Sequence, residues 1–129
     1  MNHYNKLKSL NLPKGKYAIF GSGPMAIRGI RVSDDVDIVV KQDLWDELAG
    51  KYSDFLHKNP DCIRIDNLEI FRDWPEFFGR INEIIDGAEI IEELPFVQLK
   101  YVVEWKSKFG REKDKRDVEL IKKYIEKQK

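Results

Sequence analysis

The sequence contains little cysteine, little histidine and no long apolar run. Cys62 is the one cysteine among 129 residues and there are two histidines, so a single chain cannot form a disulfide or a cluster of thiolate metal ligands. No stretch approaches the roughly 20 apolar residues of a membrane-spanning helix, and the first residues lack the apolar core of a secretory signal. These features predict a cytoplasmic protein without a membrane partner, and the length predicts one domain over residues 1–129.

The chain also lacks net charge, with 23 basic and 23 acidic side chains, but the two signs are unevenly distributed. Residues 1–59 carry 9 basic and 7 acidic side chains, residues 60–99 carry 3 and 10, and residues 100–129 carry 11 and 6. A neutral total argues against bulk attraction to nucleic acid. The basic carboxy-terminal segment is either a solvated helix face or a local surface for a polyanion.

Apolar spacing predicts alternating helices and strands in the first half of the chain. Strands are expected at residues 17–20 and 36–40, and a hairpin is expected where CIRI and LEIF flank a two-residue Asx loop. Helical spacing predicts short helices over residues 3–10 and 25–28 and a longer one over residues 42–52.

The second half of the chain has a less regular pattern. Residues 75–94 fit either a helix or a helix followed by a strand. A helix is predicted from Val97 to Phe109, an interruption at Gly110, and a last helix through Val118 and Ile125.

The most informative stretch is residues 17–40, in which a strand ends in Gly-Ser-Gly and a second strand begins with Asp35-Val36-Asp37. Side chains two apart on a strand share a face, and adjacent carboxylates repel one another unless a cation or a proton lies between them. Carboxylate oxygens at this spacing suit Mg²⁺, which commonly also binds substrate phosphates. Backbone N–H groups of a glycine-rich turn favour phosphate. The pattern therefore predicts nucleotide chemistry.

These residues resemble the nucleotidyltransferase superfamily typified by DNA polymerase beta, and especially its minimal stand-alone prokaryotic members. The first matching block comprises Phe20-Gly21-Ser22, then Gly29, Arg31 and Ser33, then Asp35-Val36-Asp37-Ile38. The second block, Lys113-Asp114 followed by Asp117, is similar to the Lys-Asp-x-x-Asp helix of small bacterial members, including nucleotidyltransferase-like toxins of toxin–antitoxin systems. Two departures are Pro24, which lacks a backbone donor, and Asp34, an additional acid expected in a turn.

The resemblance implies an α+β fold, with a mixed sheet flanked by helices and closing carboxy-terminal helices. It also implies a nucleotidyltransferase that moves a nucleoside monophosphate from an NTP to a hydroxyl acceptor and releases pyrophosphate. Asp35 and Asp37 would bind one or two Mg²⁺, and Gly21, Ser22 and Lys113 would contact the nucleotide. Glu69 is the expected third catalytic carboxylate, and Asp66 is the alternative.

Several alternatives stay open from the sequence. The fold implied by the resemblance is also compatible with a catalytically silent module that binds a nucleotide or a protein, such as a toxin–antitoxin component. A dinucleotide-binding turn is a weaker alternative, because GSGPMA fits the glycine pattern but only a short helix fits before Asp35. An active enzyme would use a small molecule, a transfer RNA or a protein as acceptor, and a homodimer or an antitoxin is a possible partner.

Overall fold

The computed structural model of the protein describes residues 4–33, 35–58, 61–72 and 80–128. Within these residues the chain forms six α-helices and seven β-strands. The helices are α1 (Asn5–Ser9), α2 (Gly23–Ile27), α3 (Gln42–Lys51), α4 (Ile81–Asp86), α5 (Leu99–Phe109) and α6 (Glu112–Lys127). The strands are β1 (Tyr17–Phe20), β2 (Val36–Val40), β3 (Leu56–His57), β4 (Cys62–Ile65), β5 (Leu68–Phe71), β6 (Glu89–Ile91) and β7 (Leu94–Phe96).

The strands form one mixed sheet in the order β3-β4-β5-β2-β1-β7-β6. The central strands β1 and β2 are antiparallel, whereas β2 pairs in parallel with β5 and β1 pairs in parallel with β7. The two ends of the sheet are antiparallel hairpins. Sheet and helices together make the α+β fold that the sequence led us to expect.

Both faces of the central strands are covered by apolar side chains, which divides the core into two clusters. One cluster contains Ile19, Ile38 and Ile70 and packs against α1 and α3. The other contains Phe20 and Val39 and packs against α4, α5 and α6. Because successive side chains of a strand point to opposite faces, Asp37 lies on the same face of β2 as Val39, beneath these later helices.

The predicted strands at residues 17–20 and 36–40 and the hairpin of β4 and β5 are confirmed. The predicted helix over residues 25–28 begins earlier, at Gly23, because Pro24 is accommodated in its first turn. The helix predicted from Val97 begins at Leu99, since the backbone N–H of Val97 donates to the carbonyl of Ile19. The described part of residues 75–94 is a helix followed by a hairpin, and residues 75–79 lie outside the description.

No helix in the described ranges is both long and apolar enough to cross a membrane.

The hairpin of β6 and β7 has an unfavourable turn sequence. Glu92 and Glu93 have φ angles of 51° and 71°, and they connect Ile91 to its partner Leu94. A two-residue turn with two positive φ angles favours Asn-Gly, because a residue with a larger side chain pays steric strain in this region. The turn is therefore a local site of strain in the fold.

Replacing Glu92-Glu93 by Asn-Gly should raise the free energy of unfolding by about 1 kcal/mol, because both new residues tolerate positive φ. Chemical denaturation of the two chains measures the difference. The matched control is Glu92→Gln with Glu93→Gln, which removes the adjacent charges but retains the strained geometry. An equally large increase in the free energy of unfolding of the control would show that the effect comes from relief of charge repulsion.

Candidate functional site

Three charged side chains lie in a row across neighbouring strands of the sheet. Asp37 of β2 is the register partner of Glu69 of the parallel strand β5, and Glu69 is the partner of Arg64 on β4. Paired residues of adjacent strands project from the same face of the sheet. The Arg64 Nε atom lies 3.9 Å from the Glu69 Oε2 atom. The sheet thus brings the predicted third carboxylate beside the predicted second one.

The turn after β1 lies directly against the carboxylate of Asp37. Gly21 has a φ of +69°, which favours glycine. A Cβ atom added to Gly21 would also lie only 2.8 Å from the Asp37 Oδ2 atom. Glycine is therefore favoured here by the backbone conformation, and a side chain at this position would displace the carboxylate of Asp37.

The segment before β2 is fastened to the same turn by hydroxyl groups. The Oγ atoms of Ser22 and Ser33 lie 2.6 Å apart, and the Ser33 hydroxyl lies 3.2 Å from the carbonyl oxygen of Asp35, to which it donates. Asp35 itself is exposed and immediately precedes β2. Ser33 consequently links the glycine-rich turn to the start of the carboxylate pair.

The surroundings of Asp37 favour the protonated carboxyl group. Burial is the largest cause, and the negative charges of Glu69 and Asp35 add to it, so that the pKa of Asp37 is raised from 3.8 to about 7. The positive charge of Lys106 acts in the opposite direction and lowers this pKa. The site therefore concentrates negative charge that a cation would relieve.

Lys106 reaches this region from α5 and is buried, with only 6% of its surface exposed. Its Nζ atom lies 2.9 Å from the Asp117 Oδ2 atom and 3.8 Å from the Asp114 Oδ1 atom. It also lies 5.0 Å from the centre of the Trp105 ring. A buried ammonium group is costly unless it is paired, so the two aspartates of α6 provide the compensation that Lys106 requires.

Asp117 also binds the segment that leads to β2. The Arg31 Nη1 group donates to both carboxylate oxygens of Asp117, at 2.9 and 2.8 Å. Asp114 is buried and accepts a 2.6 Å hydrogen bond from the Nε group of Arg111. Burial opposes ionisation of Asp114, but the hydrogen bonds and charge of Arg111 outweigh it and hold its pKa below the usual value. Asp117 thus anchors α6 to cations of two other segments, Lys106 of α5 and Arg31 before β2, while Asp114 also pairs with Arg111 at the start of α6 itself.

The Lys-Asp-x-x-Asp block divides between the two sides of α6. Lys113, predicted to contact the nucleotide, is exposed, whereas Asp114 and Asp117 are buried. The residue that sequence reasoning underrated is Lys106, which has no distinctive motif around it. The sequence feature that indicates burial of Lys106 is its position on the apolar side of a predicted helix, one residue after Trp105.

The two candidates for the third carboxylate occupy different environments. Glu69 is half-buried and its charge acts on Asp37. Asp66 lies in the turn between β4 and β5 with a φ of 55°, and its carboxylate is 3.6 Å from the Nζ atom of Lys6. The position of Glu69 therefore favours it for a role beside Asp37. Asp34, expected in a turn, lies outside the described residues.

The donor set suits a hard divalent cation, although the site is not a complete cage. Asp35, Asp37 and Glu69 supply only carboxylate oxygens, the ligand type that Mg²⁺ prefers. Within the described ranges, no group of three or more His, Cys, Asp and Glu side chains is placed to hold a metal ion. Mg²⁺ commonly takes one or two protein carboxylates and obtains its other ligands from water and phosphate. The chemistry of the residues present therefore fits Mg²⁺ together with a phosphate-bearing ligand.

No protein-family model, curated protein or solved structure matches the chain significantly.

Replacing Asp37 by Asn should stabilise the metal-free protein at pH 8. A folded-state pKa of about 7, above the ordinary 3.8, means that the folded chain holds this proton more tightly than the unfolded chain. The free energy of unfolding that this bound proton contributes is fully present below about pH 4 and is lost as the pH rises through 7. The loss has an upper bound of roughly 4 kcal/mol. Because the side chain of Asn does not ionise, the Asp37→Asn variant should not lose this stability at high pH.

Urea denaturation at pH 4.5 and pH 8 in EDTA measures the effect. The gain from Asp37→Asn should be much larger at pH 8, and the control Asp35→Asn should change stability less, because Asp35 is exposed. A lower stability of Asp37→Asn at pH 8 would contradict the assignment of a strained carboxylate.

Replacing Asp117 by Asn should lower the free energy of unfolding by about 3 kcal/mol, because it leaves Lys106 buried without its closest charge partner. Thermal and urea denaturation measure the loss. Lys106→Met combined with Asp117→Leu should recover part of it by removing both charges. An Asp117→Asn variant as stable as the parent would show that the ion pair of Lys106 and Asp117 contributes nothing to the free energy of unfolding.

Proposed function

We propose that the protein is a Mg²⁺-dependent nucleotidyltransferase, which moves a nucleoside monophosphate from an NTP to a hydroxyl acceptor. The observation that carries the proposal is the contact between the Gly21 turn and the Asp37 carboxylate, with Glu69 beside it in the sheet. A turn suited to phosphate and a set of carboxylates suited to Mg²⁺ occupy one place, and nucleotide transfer requires both.

The negative charges of the site account for its metal requirement. Asp35 and Asp37 would hold Mg²⁺, and Glu69 would be available to complete its shell. The ion, when bound, would stabilise negative charge on the attacking and leaving oxygens during in-line displacement. A bound cation also favours ionised Asp37, whose pKa is otherwise raised to about 7 by burial and by the neighbouring carboxylates.

The remaining residues bind and orient the substrate. The Gly21-Ser22 turn receives the triphosphate, and Ser33 holds this turn in register with the start of β2. Lys106, kept near Asp37 by Asp117, offsets part of the negative charge of the carboxylates at the site. Lys113 is retained as a nucleotide contact, and its exposure leaves it accessible to a ligand.

The bonds exchanged in the reaction are those around the α-phosphorus. The acceptor hydroxyl oxygen bonds to the α-phosphorus, while the bond from this phosphorus to the bridging oxygen of the β-phosphate breaks. Pyrophosphate leaves with that oxygen. Glu69 accepts the proton of the hydroxyl, and its position between Arg64 and Asp37 keeps the carboxylate at the site.

Asp37→Asn and Glu69→Gln should each reduce nucleotide transfer by at least about 100-fold, because each removes a charge used in the reaction. The assay incubates the protein with labelled NTPs and Mg²⁺ in a lysate and measures both pyrophosphate release and labelled acceptors. Since Asp37→Asn should be more stable than the parent at pH 8, lost activity could not be ascribed to unfolding.

The matched control is Asp66→Asn, which removes the alternative carboxylate at the hairpin turn and should leave transfer unchanged. If Asp66→Asn lost transfer activity and Glu69→Gln kept it, Asp66 would be the third catalytic carboxylate. Mg²⁺-dependent nucleotide binding without pyrophosphate release in any lysate would instead support a catalytically silent nucleotide-binding module. An Asp37→Asn variant with full activity would contradict the proposed site.

A further inference from the structure

The described part of the chain includes two exposed phenylalanines, and one of them belongs to the helix that bears Lys106. Phe109 ends α5 and is 41% exposed, whereas Trp105, about one helical turn before it, is only 9% exposed. Residues four apart lie on the same side of a helix, so Phe109 continues the buried side of α5 into solvent. Its ring is therefore an accessible apolar surface at the point where α5 leaves the core.

Edge contacts between aromatic rings connect Phe109 to the neighbour of Asp37 in the sheet. The centre of the Phe109 ring lies 5.4 Å from the centre of the Trp105 ring, with an interplanar angle of 89°. The Trp105 ring lies in turn 6.0 Å from the ring of Phe20, and Phe20 is the register partner of Asp37. Two ring contacts thus separate the exposed phenylalanine from the side chain next to the proposed metal ligand.

Buried ion pairs fix the end of α5 relative to the candidate site. The charge of Lys106 acts on Asp37, and its Nζ atom lies 2.9 Å from the carboxylate of Asp117. Asp117 also accepts hydrogen bonds from Arg31, in the segment that leads to β2. Phe109 follows Lys106 by three residues in the same helix, so its ring is held at the border of the site and not among the carboxylates.

Arg111 fixes the orientation of the Phe109 ring. Its Cζ atom lies over the ring, 5.1 Å from the ring centre. The same guanidinium donates through Nε to the Oδ2 atom of buried Asp114, at 2.6 Å. A ring held by Trp105 and by an anchored guanidinium loses little further freedom when a planar ligand covers it. Aromatic rings and guanidinium planes are also the protein surfaces on which nucleobases stack.

We propose that Phe109, with Arg111 beside it, is the subsite on which the base of the nucleoside triphosphate stacks; this inference rests on the proposed function. The Gly21 turn receives the phosphates, and the ring of Phe109 adds affinity for the base. Stacking uses the π-face that every base has, so the subsite distinguishes a nucleotide from an inorganic phosphate chain and discriminates little among bases. The ligand class is therefore a nucleoside triphosphate with a weak base preference.

Calorimetry of the full chain with Mg²⁺ and without an acceptor measures its affinity for ATP and for inorganic tripolyphosphate. Phe109→Leu should weaken ATP binding about tenfold and leave tripolyphosphate binding within about twofold of the parent, because Leu keeps an apolar contact with Trp105 but has no ring. Phe109→Trp should retain ATP binding. The matched control, Phe55→Leu, alters the other exposed phenylalanine, in the turn before β3, and should leave both affinities unchanged.

Equal weakening of ATP and tripolyphosphate binding by Phe109→Leu would overturn the inference, since the residue would then act on the phosphate turn or on the fold. An ATP affinity reduced as much by Phe109→Trp as by Phe109→Leu would also overturn it. If the parent bound ATP and Phe109→Leu bound it equally well, the subsite would be wrong but the proposed function would stand. A parent that bound neither ligand with Mg²⁺ would instead contradict the proposed nucleotide site itself.

Discussion

The half-buried carboxylate of Asp37 is the constraint on which the site depends. The sheet register places it beside Glu69, and the turn at Gly21 closes over its oxygen, so it has like-charged neighbours and reduced contact with water. Such a group raises the free energy of the folded state when ionised. The apolar strand around it, with Ile38, Val39 and Val40 buried, stabilises the backbone that holds it there.

A second constraint connects the helices to this strand. Asp117 is a buried joint between α6, α5 through Lys106 and the segment before β2 through Arg31. Each buried charge is tolerable only because the others are present, so the arrangement fixes the mutual position of these segments more than it adds net stability. The same joint keeps a positive charge near Asp37, where it partly offsets the repulsion among the carboxylates. Fold and site therefore share one set of charges.

The parts of the fold that could be predicted from sequence are those with local signals. Strands β1 and β2 have continuous apolar residues, and the hairpin of β4 and β5 has an Asx turn, here with Asp66 at positive φ. The β6–β7 hairpin could not be predicted in the same way, because its turn is Glu-Glu and contradicts the usual preference. Strand β3 has two residues, too few for any periodic pattern, and it exists because β4 pairs with it.

The candidate site shows the same division between local and long-range information. The pair Asp35 and Asp37 is visible within three residues, and Glu69 could be selected only because its strand had been recognised. The link from Arg31 to Asp117 spans 86 positions, and no spacing rule predicts which cation will meet which acid over that distance. The motif that includes Lys113 predicts that α6 contributes to the site, but a motif alone does not determine which of its side chains face the protein interior. Burial determines that two aspartates point to the protein and the lysine to solvent. The aspartates of α6 thus pair with cations of the protein interior while its lysines face solvent, so packing and contact with water use different sides of the same sixteen residues.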